Sequence, residues 1–342
     1  MFRRHGLRAV VVCCAILANF GTARVPAATL EFRAQYGGPV QAVDAVDTTV
    51  YAGIGHRVVV LDISDPAEPV VLGESAPLPD PIQALTVDGP YVYVAGQWAG
   101  GLVILDVSTP GAPVVVGALP WIGPAVDVAV VGSHALVAVG DMGLAVVDVS
   151  DPAAPFLVTT LDTPGDARGV AVAGTTAYVA DGPGGLLVVD MADPTTPALV
   201  GSCGTIGDAE DVRVAGTTAY VAAGYDGGLV IVDVADAEAP AVVGSCSTDA
   251  IATEVTLNGG FALVANAWAG LALVDVSTPS APVYVGQYDT PGWAMGVALA
   301  GTLACVADQV GGVQLIDVSA APDALLAGEY RRVSGFATDV AA

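Results

Sequence analysis

The sequence predicts an all-β fold, a β-propeller with seven blades of four antiparallel strands. One apolar phrase recurs seven times along the chain, and each recurrence brings four short strand-like segments. Glycine (42 residues) and proline (23) are spread throughout a chain that is 54% hydrophobic. Turn formers at this density indicate many short strands, and a charged fraction of 13% excludes an intrinsically disordered chain.

The recurring phrase is an apolar run that ends in aspartate and leads into a proline-containing loop, as in LVILDVSTPGAP from Leu102. The spacings between successive aspartates are 44, 42, 42, 43, 42 and 42 residues. These aspartates are Asp62, Asp106, Asp148, Asp190, Asp233, Asp275 and Asp317. Such a period with four strands per unit is typical of propeller blades, and seven units fall within the usual range.

The unit between Gly169 and Cys203 shows the four segments most clearly. They read GVAVAG, AYVAD, GLLVVD and PALVGSC, and we term them A, B, C and D. Links of hairpin length join them, so consecutive strands are predicted to be antiparallel. Segment C is apolar at consecutive positions, which indicates a strand buried on both faces between neighbouring sheets.

The N-terminus has the features of a secretory signal peptide over residues 1–27. Arginines precede an apolar run over residues 9–18, and small residues follow, with cleavage expected after Ala23 or Ala27. The apolar run is too short to span a bilayer, and no longer one follows. We therefore expect a secreted or cell-surface protein without a transmembrane span in the mature chain.

The propeller is expected to occupy residues 28–342. Residues 30–36 resemble a D segment and residues 337–342 the start of an A segment, so fragments of an eighth repeat stand at the two ends. We expect the first fragment to complete the seventh blade. An incomplete eighth blade is the alternative.

The net charge indicates which classes of partner to expect, and the cysteine positions indicate whether disulfides form. The chain has 35 acidic and 10 basic residues, all of the latter arginine, for a formal net charge of −25. Nucleic acid is not expected as a partner because its phosphates are bound by clustered basic residues. Acidic proteins instead attract cations and basic partners. Cys203, Cys246 and Cys305 are expected to be free, buried thiols.

The fifth repeat spells out LVIVD at Leu229–Asp233, and the other six vary it conservatively. The sequence thereby resembles the LVIVD-repeat family over nearly the whole mature chain. The resemblance implies a β-propeller at a bacterial or archaeal cell surface, and it implies no shared reaction or catalytic residue. The seventh repeat departs most from the phrase, so its blade is expected to be the least regular.

The recurring aspartates invite a calcium hypothesis, but equivalent positions in a ring of blades diverge, whereas calcium needs converging oxygens. Each aspartate is instead expected to accept backbone N–H bonds in the turn that follows segment C.

Candidate ligand-binding residues lie in the D–A and B–C links, which meet on one face around the central channel. They are Trp98, Trp121, Trp268, Trp293, Tyr225 and His56. Exposed rings at such a mouth can stack on sugars or hold a peptide. Filling of gaps between blades by these large side chains is the alternative.

Candidate metal ligands are Asp127, Asp211 and Glu254, which occupy equivalent positions at the start of A segments and converge at the channel mouth. A solvated acidic rim is the alternative, and Arg168 and Arg213 are expected to pair with some of these acids. No catalytic motif is present, so no catalytic residue is predicted.

The sequence thus predicts a binding or interaction module for a protein or glycan ligand at the cell surface. We expect no cofactor, with Ca²⁺ as the one candidate, and no enzymatic activity. One alternative is a divalent-cation-dependent enzyme or a calcium-stabilised propeller with an acidic channel mouth. Another is a structural spacer within a larger surface protein. The sequence does not indicate an oligomeric state.

Overall fold

The computed structural model describes residues 39–97, 101–319 and 325–330, which form seven four-stranded sheets. Neighbouring strands in every sheet are antiparallel, and the strand order in each sheet follows the chain. The predicted seven-bladed β-propeller is therefore confirmed. No helix in the described ranges is long and apolar enough to cross a membrane.

The first four blades span the strands β1–β16. Blade 1 comprises β1 (Val40–Val46), β2 (Thr49–Ile54), β3 (Arg57–Asp62) and β4 (Val70–Glu74). Blade 2 comprises β5 (Ile82–Asp88), β6 (Tyr91–Gly96), β7 (Gly101–Asp106) and β8 (Val114–Leu119). Blade 3 comprises β9 (Asp127–Val131), β10 (His134–Ala138), β11 (Leu144–Asp148) and β12 (Phe156–Leu161). Blade 4 comprises β13 (Gly169–Ala173), β14 (Thr176–Ala180), β15 (Leu186–Asp190) and β16 (Ala198–Cys203).

The last three blades span β17–β28 and include one short helix. Blade 5 comprises β17 (Asp211–Ala215), β18 (Thr218–Ala222), α1 (Gly224–Gly227), β19 (Leu229–Asp233) and β20 (Ala241–Cys246). Blade 6 comprises β21 (Glu254–Asn258), β22 (Phe261–Ala265), β23 (Leu271–Asp275) and β24 (Val283–Tyr288). Blade 7 comprises β25 (Gly296–Ala300), β26 (Leu303–Ala307), β27 (Val313–Asp317) and β28 (Leu325–Tyr330).

The core lies between adjacent blades. The four residues before the aspartate of each third strand are buried, and all are apolar except Gln314 of β27. In β15, for example, Leu186–Val189 are at most 1% exposed, as expected for a sheet covered on both faces. Leu186 and Val188 of blade 4 belong to the same apolar cluster as Val221 and Val230 of blade 5. The fourth strands of blades 1 to 6 lie at the outer rim and are partly exposed.

The ring is closed by the same backbone contact that joins neighbouring blades. Four such bridges pair a residue of one blade's B–C link with a residue just before the next blade's first strand: Gly140–Ala167, Gly182–Ala209, Gly224–Ala252 and Ala267–Ala294. A fifth, between Gln309 and Val40, joins blade 7 to blade 1. These five bridges hold blades 3 to 7 to one another, and blade 7 to blade 1, at the start of the innermost strand.

The expectation that residues 30–36 complete the seventh blade is wrong. The fourth strand of that blade is β28, which directly follows β27 in the chain. Blade 7 thus obtains all four strands from consecutive sequence, and the fourth position is already filled. Residues 1–27, 30–36 and 337–342, on which other expectations rest, lie outside the described residues.

The recurring aspartates all have one geometry. In each blade the Oδ1 atom accepts a hydrogen bond from the backbone N–H two residues later, at 2.8 or 2.9 Å. Asp62 accepts from Ser64, and Asp190 accepts from Ala192. These are Asx turns that end the third strand and start the link to the fourth.

The three cysteines of the described ranges are free thiols. Cys305 is buried in the second strand of blade 7, where burial raises its thiol pKa to about 12. Cys203 and Cys246 are only half-buried, so the expectation of burial is wrong for these two. They end the fourth strands of blades 4 and 5, at the outer rim.

Candidate functional site

One face of the propeller carries the candidate ligand-binding residues. Because the strands alternate in direction, the B–C links and the links between blades emerge on this face, which we term the loop face. Trp121 and Trp293 lie in links between blades, and His56, Tyr225 and Trp268 lie in B–C links. Trp98 lies outside the described residues.

These aromatic side chains are exposed. Trp121 is 79% exposed, Tyr225 63%, Trp293 49% and Trp268 43%. Other large apolar residues of the same face are also exposed: Met142, Ile206 and Val310. An apolar concentration on one surface of a protein is typical of an interaction site.

Three of the rings form a contiguous group, which we term the aromatic corner: Tyr225, Trp268 and Trp293. The ring centroids of Trp268 and Trp293 are 5.8 Å apart with an interplanar angle of 69°. Those of Tyr225 and Trp268 are 6.1 Å apart at 41°. Ring contacts on the loop face link only these three among the described residues, and His56 instead has its Nδ1 atom 3.1 Å from the carbonyl of Leu78.

Backbone bridges place the three rings. Trp268 follows Ala267, and Trp293 precedes Ala294, so the Ala267–Ala294 bridge holds the two tryptophans side by side. Tyr225 follows Gly224, which forms the neighbouring bridge with Ala252. The aromatic corner therefore stands on the contacts that join blades 5, 6 and 7.

Buried polar pairs brace the links beneath the corner, a feature that the sequence interpretation missed. The Thr248 hydroxyl donates to Asn266 Oδ1 at 2.8 Å, and the Asn266 amide donates to the Thr248 carbonyl at 2.6 Å. In the next blade the Thr290 hydroxyl donates to Asp308 Oδ1 at 2.6 Å. The signal was present, because both pairs are separated by 18 residues at equivalent positions of successive repeats.

The central channel is the second candidate region. It encloses a cavity of about 580 Å³ lined by the first strands of the blades. Asp127, Asp211 and Glu254 occupy the same register position, each opposite the last residue of its blade's second strand. The structure therefore brings together on the channel wall the three residues that were singled out as candidate metal ligands.

Two of these carboxylates join one blade to the next. Asp127 Oδ2 accepts the N–H of Val170 at 2.8 Å, and Asp211 Oδ2 accepts that of Val255 at 2.9 Å. Gly169 allows the first strands of blades 4 and 5 to lie close together, since a Cβ at this position would lie 2.8 Å from the Asp211 Cα. The carboxylates thus bridge first strands that have no continuous ladder between them.

Arg213 is the cation of this channel. Its Nη2 atom lies 3.4 Å from Glu254 Oε1, and Asp211, Glu254, Asp127 and Asp44 all raise its pKa, Asp211 most. The side chain is 41% exposed because it projects into the channel, whereas Asp211 is 6% exposed. One guanidinium therefore faces four carboxylates from blades 1, 3, 5 and 6.

The carboxylates are harder to ionise than exposed ones. Burial raises the pKa of Asp211 to about 6, against the opposing effect of Arg213. Burial, together with the charge of Asp211, raises the pKa of Glu254 well above its usual value. Burial also raises the pKa values of Asp127 and Asp44. The channel therefore holds more carboxyl groups than cations, in a setting that disfavours their ionised form.

A second ion-pair group lies at the channel mouth. Arg168 Nη1 is 2.5 Å from Glu210 Oε1 and 3.4 Å from Asp208 Oδ2, and its Nε is 3.3 Å from Asp166 Oδ2. The expected pairing of both arginines with acids is thus confirmed. Arg168 and Arg213 both pair across blades, with Glu210 and Glu254 respectively.

The channel acids are engaged by arginine and backbone N–H groups. In the described part of the chain, no group of three or more His, Cys, Asp or Glu side chains has an arrangement that could hold a metal ion. Asp127 and Asp211 join blades through their backbone hydrogen bonds, and Glu254 joins blades through its ion pair with Arg213.

Comparison with known sequences identifies the repeat. The LVIVD repeat matches the chain seven times, over residues 44–75, 82–119, 122–163, 164–205, 206–248, 250–290 and 291–331. These seven matches correspond to the seven blades. No curated protein matches the chain in sequence.

Solved structures resemble the chain in fold. The computationally designed Ika8 protein has a TM-score of 0.65 at 11% identity, covering 88% of this chain and 90% of its own. A functionally unknown protein from Desulfotomaculum acetoxidans has a TM-score of 0.66 at 13% identity, covering 77% and 90%. The Cps50 (Swd1) β-propeller domain of Myceliophteria thermophila has a TM-score of 0.64 at 13% identity, covering 79% and 93%. At these identities the likeness concerns the fold alone.

Proposed function

The chain belongs to the LVIVD-repeat family, and we propose that it is an exported binding module that holds a surface protein or glycan on its loop face. The single observation that carries the proposal is the aromatic corner, three contacting rings that stay exposed although each could bury a large area. Large exposed aromatic side chains are frequent at the centres of binding sites.

The architecture supports this role. The apolar cores lie between blades and are filled by the recurring apolar residues, so the rings are not required to complete them. Backbone bridges and buried polar pairs fix the links that carry the rings. A site on links held in one geometry loses little conformational entropy when it binds.

Binding is tested by intrinsic fluorescence of the purified chain during titration with cell-wall oligosaccharides and with cell-surface proteins. We expect at least one ligand to change the emission and to protect it from acrylamide. Trp268→Ala should weaken binding, whereas Phe156→Ala, which removes an exposed ring from the fourth strand of blade 3, should leave the affinity unchanged. If no ligand responds in a Trp268-dependent way, the proposal fails.

Export is tested separately by N-terminal sequencing of the chain produced in a bacterial host. The proposal expects an extracellular or surface-bound product that begins at Arg24 or Ala28, following cleavage by a signal peptidase. An intact N-terminus on a protein retained inside the cell would contradict export without bearing on the loop face.

A further inference from the structure

The rings of the aromatic corner do not form one flat platform. Trp293 stands at 69° to Trp268, and Tyr225 is tilted by 41° from Trp268 on its other side. A pyranose ring stacks on a single flat aromatic face. Rings set at steep angles instead present several π faces to a compact group that approaches them from the solvent.

The charges around the corner favour a positive group. Asp226 directly follows Tyr225, and Asp249 and Asp289 lie in the adjoining links between blades, all three exposed. The negative faces of the rings and these carboxylates attract the same sign of charge.

The described part of the chain offers no arginine to neutralise these acids. It contains Arg57, Arg168 and Arg213, and each binds elsewhere: Arg57 to the Ser75 carbonyl, Arg168 to Glu210 and Arg213 to Glu254. The sequence has no lysine at all. Among the described residues, no arginine therefore neutralises the acids at the aromatic corner.

We infer that the aromatic corner binds the cationic side chain of an arginine- or lysine-rich segment of a partner protein. This inference rests on the proposed function and names the ligand chemistry of the same site. The ammonium or guanidinium group contacts the faces of Trp268 and Trp293, and Asp226, Asp249 and Asp289 attract the neighbouring basic residues of the segment. Cation–π attraction acts within about 6 Å of a ring centroid. Because neighbouring ring centroids in the corner are 5.8 and 6.1 Å apart, one cationic group can lie within this range of two rings.

The test is a titration of the purified chain with an oligoarginine peptide, followed by tryptophan fluorescence, with an uncharged glycine–serine peptide as control. We expect the basic peptide to bind and the uncharged peptide not to bind. Trp268→Ala and Trp293→Ala should each weaken binding about fivefold to tenfold. Trp268→Phe should retain part of the affinity, because it keeps a ring, and Phe156→Ala, at the outer rim, should bind as the unmodified chain does.

Two further readouts separate the contributions. Asp226→Asn should make peptide binding less dependent on salt. It should weaken the affinity for the peptide at low salt more than at high salt, because salt screens the attraction between exposed charges. Far-ultraviolet circular dichroism of each variant should match that of the unmodified chain, so that weaker binding reports a lost contact and not a lost fold.

Three outcomes have distinct meanings. Equal peptide affinities for Trp268→Ala, Phe156→Ala and the unmodified chain would mean that the peptide binds by general attraction to an acidic protein, which would overturn the inference. Trp268-dependent binding of a neutral oligosaccharide, without peptide binding, would overturn the inference while the proposed function stands. Absence of Trp268-dependent binding for every ligand would overturn both.

Discussion

The two faces of the propeller differ in whether their polar and aromatic residues recur from blade to blade. On the face that carries the A–B turns and C–D links, every blade places the same aspartate in the same Asx turn. On the loop face the links differ, and Tyr225, Trp268 and Trp293 gather at three neighbouring blades. Residues that recur in every repeat are those that the blade itself requires. Residues that depart from the repeat are free to serve a ligand.

Among the recurring residues, we expect substitution of a glycine in a fourth strand to lower the stability of the fold most. A Cβ at Gly201 would lie 2.0 Å from the carbonyl oxygen of Ala237 in the next blade. We expect Gly201→Ala to lower the free energy of unfolding by about 3 kcal/mol, since a backbone must move to accommodate the methyl group. Urea denaturation measures this loss, and Gly204→Ala, with nothing within 4 Å of its Cβ, is the matched control. Equal midpoints for the two variants would contradict the packing argument.

The channel is the next most sensitive region. Arg213→Met leaves four carboxylates without their cation and should cost about 2 kcal/mol at neutral pH. This is less than the roughly 3–5 kcal/mol for a fully buried pair, because the channel admits water to the side chain. Urea denaturation of Arg213→Met and of the double variant Arg213→Met with Asp211→Asn gives the comparison. If removal of the Asp211 charge restores no stability, the loss is not electrostatic.

The same carboxylates predict how stability depends on pH. The folded-state pKa of Asp211, about 6, exceeds its ordinary value of 3.8, so the folded protein binds this proton more tightly than the unfolded chain. The stability from this group is therefore fully present below its ordinary pKa and is lost as the pH rises through about 6. We expect a higher urea midpoint at pH 5 than at pH 7. Asp211→Asn should flatten this difference, and an unchanged slope would contradict the assignment.

A single Asx turn should contribute less. Asp190→Ala removes one backbone hydrogen bond, from the N–H of Ala192, and should lower the free energy of unfolding by about 1 kcal/mol. Asp141→Ala, which removes an exposed aspartate of the loop face, should be close to neutral. A chemical denaturation series of the two variants distinguishes the faces. Equal stability of the two variants would mean that the recurring aspartate is not a structural requirement.

The sequence was sufficient for the features that recur. The period fixed seven blades, and the consecutive apolar residues of segments such as GLLVVD predicted third strands buried on both sides. The ring closure was misjudged because the loop before β28 departs from the repeat, with Ala324 in place of the second proline, although residues 325–330 themselves follow the repeat. Arg213 and Asp44 interact electrostatically across the channel although many residues separate them in the chain. Only the closed ring brings such positions together.

The exposure of the tryptophan side chains could not be predicted from the sequence either. The link positions of Trp121, Trp268 and Trp293 predicted the face but not whether the rings would fill gaps between blades, since a tryptophan at a link suits either role. The bridge between Ala267 and Ala294 decides the matter for two of them, because it sets the rings beside each other on the surface. That bridge depends on backbone geometry and has no residue signature of its own.

The most direct test of the contrast between the faces is to measure stability and ligand binding together for Trp268→Ala. We predict a urea midpoint that corresponds to a stability loss below about 1 kcal/mol, because the ring is exposed, together with ligand binding weakened about fivefold to tenfold. A large loss of stability with unchanged binding would contradict this prediction, since Trp268 would then belong to the structure of the blade and not to a binding surface.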